Sequence, residues 1–292
     1  MYKINLKMVL SSLVLLTVYM IFLQTFCMDN KEKFSEIKSI LLNEDDVNKR
    51  VNENDTNFFN KMSNIKLSTL LDNNKLSIPV NKQNNILFVT FENRPIEQNK
   101  YIKIHNDNIN EYCKLWNFEY KFITESKHNV YWTKIYLVLE ELLTNVYDYV
   151  VWLDSDTFIF NKNINISNIV NNYSSDIFVG YDNMKTYDMI NAGVFIIKNS
   201  TIGINFLKDC IKNYNIPLCL AKNNKLRGKW AASCYEQGNM NILIYDTYHK
   251  NTTLLNNDII LNYNECHTNT FIMHLYAASD ESRQLCFTSK YP

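Results

Sequence analysis

No CxxC pair occurs among the seven cysteines, Cys27, Cys113, Cys210, Cys219, Cys234, Cys266 and Cys286, which argues against a zinc site. Net charge is absent as well. The 30 basic and 30 acidic residues cancel, so no whole-chain field points to nucleic acid or to an acidic partner. The chain has no internal repeat and little glycine or proline, 5 and 4 residues, while asparagine is abundant throughout, a composition bias without functional weight. No small-residue cleavage site comes after the first apolar run, which argues against a cleaved signal peptide.

That first run, Met8 to Met28, has no charged residue. At 1.5 Å per residue it is long enough to cross a hydrocarbon core of about 30 Å. Lys3 and Lys7 precede it, so the positive-inside tendency predicts a cytosolic tail over 1–7, a transmembrane signal anchor over 8–28 and a single-pass type II protein. The expected location is the Golgi or endoplasmic reticulum, with the domain beyond the anchor lumenal. Residues 29–83 are polar with brief apolar patches and read as a stem or linker with too little apolar surface for a core of its own, apart from a short helix near Phe34 to Leu42. Residues 84–292 remain for one folded domain. The cysteines beyond the membrane are free to pair there in ways the sequence does not resolve. Sequons at Asn54, Asn165, Asn172, Asn199 and Asn251 fit a secretory compartment.

Hydrophobic periodicity orders the folded part. Ile86 to Phe91 and Phe118 to Ile123 read as strands, separated by a helix over 97–116. Trp132, Ile135, Tyr136, Leu139, Leu142, Leu143 and Val146 recur at three- and four-residue spacing, the strongest helical pattern in the chain. Tyr149 to Leu153 form the third strand. This alternation predicts an α/β domain with a mostly parallel central sheet and flanking helices. Further on, Asp176 to Gly180 and Val194 to Ile197 read as strands, and Ser200 as the N-cap of a helix reaching Tyr214. Residues 215–229 read as a loop, 234–245 as a helix and Phe271 to Leu275 as a late buried strand.

The third strand runs straight into Asp154-Ser155-Asp156. In sheets of this kind ligands collect at the carboxyl ends of strands. In extended chain the two carboxylates point to one side and Ser155 to the other, and two like charges that close call for a hard divalent cation such as Mg2+ or Mn2+. The alternative is a pair of aspartates that turn the chain or cap the next element. If the pair repel, removing Asp156 is expected to disturb folding little.

Four segments in order, WTK at 132–134, YVVWLDSDTFIF at 149–160, NAGVFIIKNS at 191–200 and EQGNMNIL at 236–243, then FIMHLYA at 271–277, resemble glycosyltransferase family 34, the galactosyl, mannosyl and xylosyl transferases of GT-A fold. The resemblance spans about residues 84 to 280. It implies a Rossmann-like GT-A domain that transfers a hexose or pentose from a UDP- or GDP-sugar to a glycan or glycoprotein acceptor, with Mn2+ or Mg2+ and with retention to an α linkage. It implies Asp154, Asp156 and His274 as metal ligands, with His267 as fallback for the histidine. It also implies Asp154, Asp156, Lys134 and Gly193 on the donor, and Gln237, Glu236 and Asn191 as catalytic residues.

Read from the residues alone, each of these has a plainer role. His274 is a core histidine in an apolar strand. Asn191 to Gly193 form a turn before a strand, or let backbone approach a ligand at Gly193. Glu236 suits the dipole of a first helical turn. Lys134 pairs either with donor phosphate or with a buried carboxylate, and Trp132 and Trp152 belong to the core. A non-enzymatic relative acting as a partner subunit or glycan-binding protein is the competing function. A metal-dependent phosphoester hydrolase is a third, disfavoured because no second ligand cluster is visible for a two-metal site.

Overall fold

A computed structural model of the chain describes residues 44–64, 83–182 and 189–289. Its frame is a single nine-stranded sheet with strand order β2-β1-β3-β6-β5-β8-β9-β4, in which β7 also pairs with β5. The strands are β1 (Ile86–Phe91), β2 (Glu119–Ile123), β3 (Tyr149–Leu153), β4 (Thr157–Ile159), β5 (Ile177–Asp182), β6 (Met189–Lys198), β7 (Thr252–Leu255), β8 (Ile260–Tyr263) and β9 (Ile272–Leu275). The helices are α1 (Glu44–Ser63), α2 (Lys100–Trp116), α3 (Thr133–Leu143), α4 (Ile166–Asn171), α5 (Thr201–Asn213), α6 (Ile216–Cys219), α7 (Glu236–Leu243) and α8 (Asp280–Thr288).

The period of two along each central strand divides the core into two layers. Leu87, Val89, Val150, Trp152, Phe195 and Ile197 face α1, α3, α5 and α7. Ile86, Phe88, Val151, Leu153, Val194 and Ile196 face α2 and α4. On α3 the residues Ile135, Val138, Leu139 and Leu142 supply the buried stripe that its spacing predicts. The helix stops at Leu143, short of Val146, because Asn145 turns into the left-handed region at φ 58°. Ser200 caps α5 as expected, its hydroxyl accepting from the Gly203 amide at 3.0 Å.

The sheet is mixed, with most of its pairings parallel as expected, those of β5 with β7 and β8 and of β8 with β9 among them. β1, β2 and β3 run parallel, but β6 pairs antiparallel with both β3 and β5, and β4 pairs antiparallel with β9. β6 is also longer than its apolar pattern indicates, and Asn191-Ala192-Gly193 lie within it instead of forming a turn before it. Its nine buried positions leave no polar alternation to mark its start.

The expected membrane anchor requires correction. Among the described residues no helix is long and apolar enough to cross a membrane. The longest, α1, carries eight charged residues in EDDVNKRVNENDTNFFNKMS, each costly in hydrocarbon. The span expected over 8–28, and the short helix expected near Phe34 to Leu42, lie outside the described residues. The single-pass topology and the Golgi or endoplasmic reticulum lumenal location that rested on the anchor therefore have no support in the fold.

Part of the expected stem belongs to the domain. Val47, Val51, Asp55, Phe58 and Met62 recur every three or four residues along α1, and Val51, Phe58 and Met62 join the core beneath α5 and α7. Lys61 reaches Asp246 at 2.7 Å and Arg227 reaches Glu44 at 2.7 Å, one pair near each end of the helix. Two disulfides, Cys219–Cys234 and Cys266–Cys286, resolve the pairing that the sequence leaves open. Cys113 and Cys210 are buried and free, and burial pushes both thiols up.

Candidate active site

Backbone pairing brings the two ends of the chain's chemistry together. β3 ends at Leu153, and Asp154-Ser155-Asp156 form a turn into β4 instead of continuing as extended chain. β4 pairs with β9 so that Thr157 stands opposite His274, and the Leu275 amide donates to the Asp156 carbonyl at 3.0 Å. On the other side the Asp154 amide donates to the Gly193 carbonyl at 2.8 Å, which docks the turn on β6. Asp154, Asp156 and His274 each present a ligand atom, and these atoms lie within 4.8 Å of one another. His267 is exposed in the β8–β9 connection, against Tyr263 at 5.2 Å, and takes no part in the cluster.

His274 is oriented by two contacts. Its Nδ1 lies 3.0 Å from Asn262 Oδ1, so a proton on Nδ1 donates there and Nε2 faces the carboxylates, 3.1 Å from Asp156 Oδ1 and 3.9 Å from Asp154 Oδ2. Burial opposes protonation of His274, but the neighbouring Asp156 and Asp154 outweigh it and the net shift is upward. Burial likewise works against ionised Asp156. His274 and Arg283 overcome it and hold the carboxyl below its ordinary range. Two carboxylates and an imidazole nitrogen are a donor set that can hold a divalent cation.

Asp154 is held by Trp152, whose Nε1 donates to Oδ1 at 2.7 Å, and by Lys134, whose Nζ lies 2.9 Å from Oδ1. Lys134 is buried and also contacts Glu236 Oε1 at 3.2 Å and the Ala192 carbonyl at 3.1 Å. It is thus paired with buried Glu236 and partly buried Asp154. Burial pulls its pKa down, but Asp154 and Glu236 pull harder and keep it charged. Glu236 is pushed upward by burial, with Lys134 opposing and Asp154 adding to the rise, and its Oε2 is buried without a partner.

Gln237 and Asn191 converge on Asp182 at the end of β5. Gln237 Nε2 donates to Asp182 Oδ2 at 3.0 Å, Asn191 Nδ2 lies 3.3 Å from the same oxygen, and Gln237 Oε1 accepts from the Ala192 amide at 3.1 Å. These groups border a cavity of about 370 Å³ that includes Lys134, Asp154, Asp156, Asp182, Asn191, Gly193, Glu236, Gln237 and His274. Every expected site residue except the fallback His267 therefore lies at one place.

Several neighbours escaped the sequence reading. Arg283 Nη2 donates to Asp156 Oδ2 at 2.8 Å, and its guanidinium packs on the Tyr101 ring at 5.3 Å. Its only local signal is the Ser279-Asp280-Glu281 start of α8. Ser155 donates to buried Glu92 at 2.6 Å, and Glu92 is bound in turn by Arg94 at 2.6 Å. Asp182 and Trp230 also border the cavity, although nothing in their local sequence sets them apart.

Residues 82–179 match the galactosyl transferase GMA12/MNN10 family. The chain is a glycosyltransferase resembling that family. The matched segment runs from before β1 into β5 and includes Lys134, Asp154 and Asp156. A solved structure of a glycosyltransferase involved in the glycosylation of the major capsid of PBCV-1 shares the fold, with a TM-score of 0.54 and 14% identity over 70% of this chain and 99% of that chain. No curated protein matches the chain significantly. For this glycosyltransferase the family likeness implies a nucleotide-sugar donor and a glycan acceptor.

Proposed function

We propose that the enzyme transfers a hexose or pentose from a UDP- or GDP-sugar to a glycan or glycoprotein with retention of configuration, using Mn2+ or Mg2+ bound by Asp154, Asp156 and His274. The meeting of these three side chains in the lining of the 370 Å³ cavity carries the proposal. A divalent cation bound there supplies Lewis-acid stabilisation to the departing diphosphate. The Asn262 contact keeps the His274 Nε2 lone pair directed at the site. Lys134 offsets the charges of Asp154 and Glu236, so the carboxylates stay in place while the donor enters. Gln237, pinned by Asp182 and the Ala192 amide, is the positioning group for the transferred sugar, and Glu236 offers its unpartnered Oε2 to a hydroxyl.

The test is hydrolysis of UDP- and GDP-sugars by the full chain with Mn2+, water replacing the acceptor. EDTA should stop the reaction and added Mn2+ restore it. Gln237→Ala and Glu236→Gln should slow transfer to an acceptor by about 10²-fold or more while changing donor affinity far less. A metal-loaded chain that turned over no nucleotide sugar would contradict the proposal.

A further inference from the structure

Trp230 is the exposed member of the four tryptophans. Trp132 and Trp152 lie in the core and Trp116 is half-buried, whereas Trp230 is 52% exposed and borders the catalytic cavity. It is not alone. Its ring centroid lies 5.5 Å from that of Tyr131 and 5.2 Å from that of Tyr235, and the two tyrosines are 5.1 Å apart, all edge to face. The three rings come from different segments, the turn before α3, the loop after α6 and the residue that opens α7. An isolated exposed aromatic needs no explanation, but a trio of rings whose tryptophan borders the cavity leaves aromatic surface in water at a definite place.

The trio is held firmly. The Cys219–Cys234 disulfide closes the loop that carries Trp230, and Trp132 Nε1 donates to the Cys234 carbonyl at 3.0 Å at its far end. Beside Trp230, the Lys229 amide donates to Asp55 Oδ2 on α1 at 2.6 Å. Gly228 is left-handed at φ 85°, and a Cβ there would come 2.7 Å from the same oxygen, so glycine is what lets the loop close on α1. A surface fixed in advance loses little freedom when a ligand settles on it.

We propose that Trp230, with Tyr131 and Tyr235, forms the platform on which a pyranose ring of the acceptor stacks. A pyranose has one face of C–H groups and a rim of hydroxyls, which suits an aromatic face beside polar groups. Tyr235 immediately precedes Glu236 and Gln237, which line the cavity together with Trp230. The acceptor is thus a carbohydrate chain engaged through a sugar ring, and the platform helps select it. This assignment rests on the transferase proposal above.

The test is saturation-transfer NMR on the full chain with the methyl β-glycosides of glucose, galactose, mannose and xylose, alone and as a mixture. At least one glycoside should receive saturation on the protons of one ring face. Trp230→Leu should weaken that signal about tenfold, the scale of one lost aromatic contact, while Trp230→Tyr retains most of it. Equal saturation in the Leu variant would reduce the patch to an ordinary apolar surface and overturn the proposal, as would no saturation from the unmodified chain. Stacking needs no turnover, so failure of nucleotide-sugar hydrolysis counts against the transferase proposal and is read separately.

Discussion

Gly193 faces His274 so closely that a Cβ on the glycine would lie 2.1 Å from the imidazole Cε1. Both residues sit in strands, β6 and β9, so neither backbone yields cheaply. The absence of a side chain at Gly193 is what gives the imidazole room beside Asp154 and Asp156. Gly193→Ala should displace the ring and weaken Mn2+ binding by about 10- to 100-fold, comparable to loss of an orienting contact. Isothermal titration with Mn2+ checks it, and unchanged affinity would show that His274 is not a ligand.

Asp156 bears on stability as well as on metal binding. Like-charge repulsion with Asp154 predicts that its removal disturbs folding little, but the structure pairs Asp156 with His274 at 3.1 Å and Arg283 at 2.8 Å. Asp156→Ala should abolish Mn2+-dependent donor binding. In EDTA it should also destabilise the fold by about 1–3 kcal/mol, because a partly buried guanidinium loses its acceptor. Urea unfolding of both chains without metal separates the two effects.

Lys134 is the counter-charge for buried Glu236 and partly buried Asp154. Lys134→Met leaves Asp154 and Glu236 without it, and a loss of about 3–5 kcal/mol is expected from breaking a buried pair on one side. Lys134→Met combined with Glu236→Gln should recover part of that loss. The double-mutant cycle in urea reads the coupling, and strict additivity would mean that the 3.2 Å contact carries no energy.

His105 gives the fold an acid-sensitive group. It is fully buried, with Nδ1 2.8 Å from the Thr157 carbonyl and Nε2 3.1 Å from Thr90 Oγ1. Burial lowers its pKa from 6.5 to about 4, against the opposing pull of the Thr157 carbonyl and nearby carboxylates. Between these values the unfolded chain binds the proton and the folded chain does not. The stabilisation is therefore complete above about pH 6.5 and is lost as pH falls toward 4, by about 3 kcal/mol at most. Chemical denaturation from pH 7 to pH 4 should show this slope, and His105→Gln should flatten it.

Phe58 tests whether α1 is part of the domain. Its side chain is 3% exposed in the core shared with α5 and α7. Phe58→Ala should cost about 3–5 kcal/mol. A chain starting at Gln83 should lose the whole α1 contact, including the Asp55 bond to Lys229. Equal melting temperatures for the chains starting at 44 and at 83 would make α1 an appendage.

The sequence by itself determined the elements whose periodicity is strong and local: the first three strands, the helices between them and the Ser200 cap, whereas the turn at Asp154-Ser155-Asp156 that ends β3 was decided by the fold. It also marked Asp154 and Asp156, because an unbroken apolar strand running into two carboxylates is legible without partners, and the ordered family segments pointed to the other candidates. Tertiary structure decided what depends on register and distance. The antiparallel pairing of β6 and of β4 with β9 is what brings Gly193 and His274 to the aspartates, and no local pattern encodes strand direction. Short strands such as β4, β7 and β8 gain stability only from neighbours already in place. The polar sequence of α1 hid a buried stripe whose partners lie more than a hundred residues away. Arg283 and Trp230 reach the site only because two disulfide-linked segments fold back on it, and each is an ordinary surface residue until that closure is made.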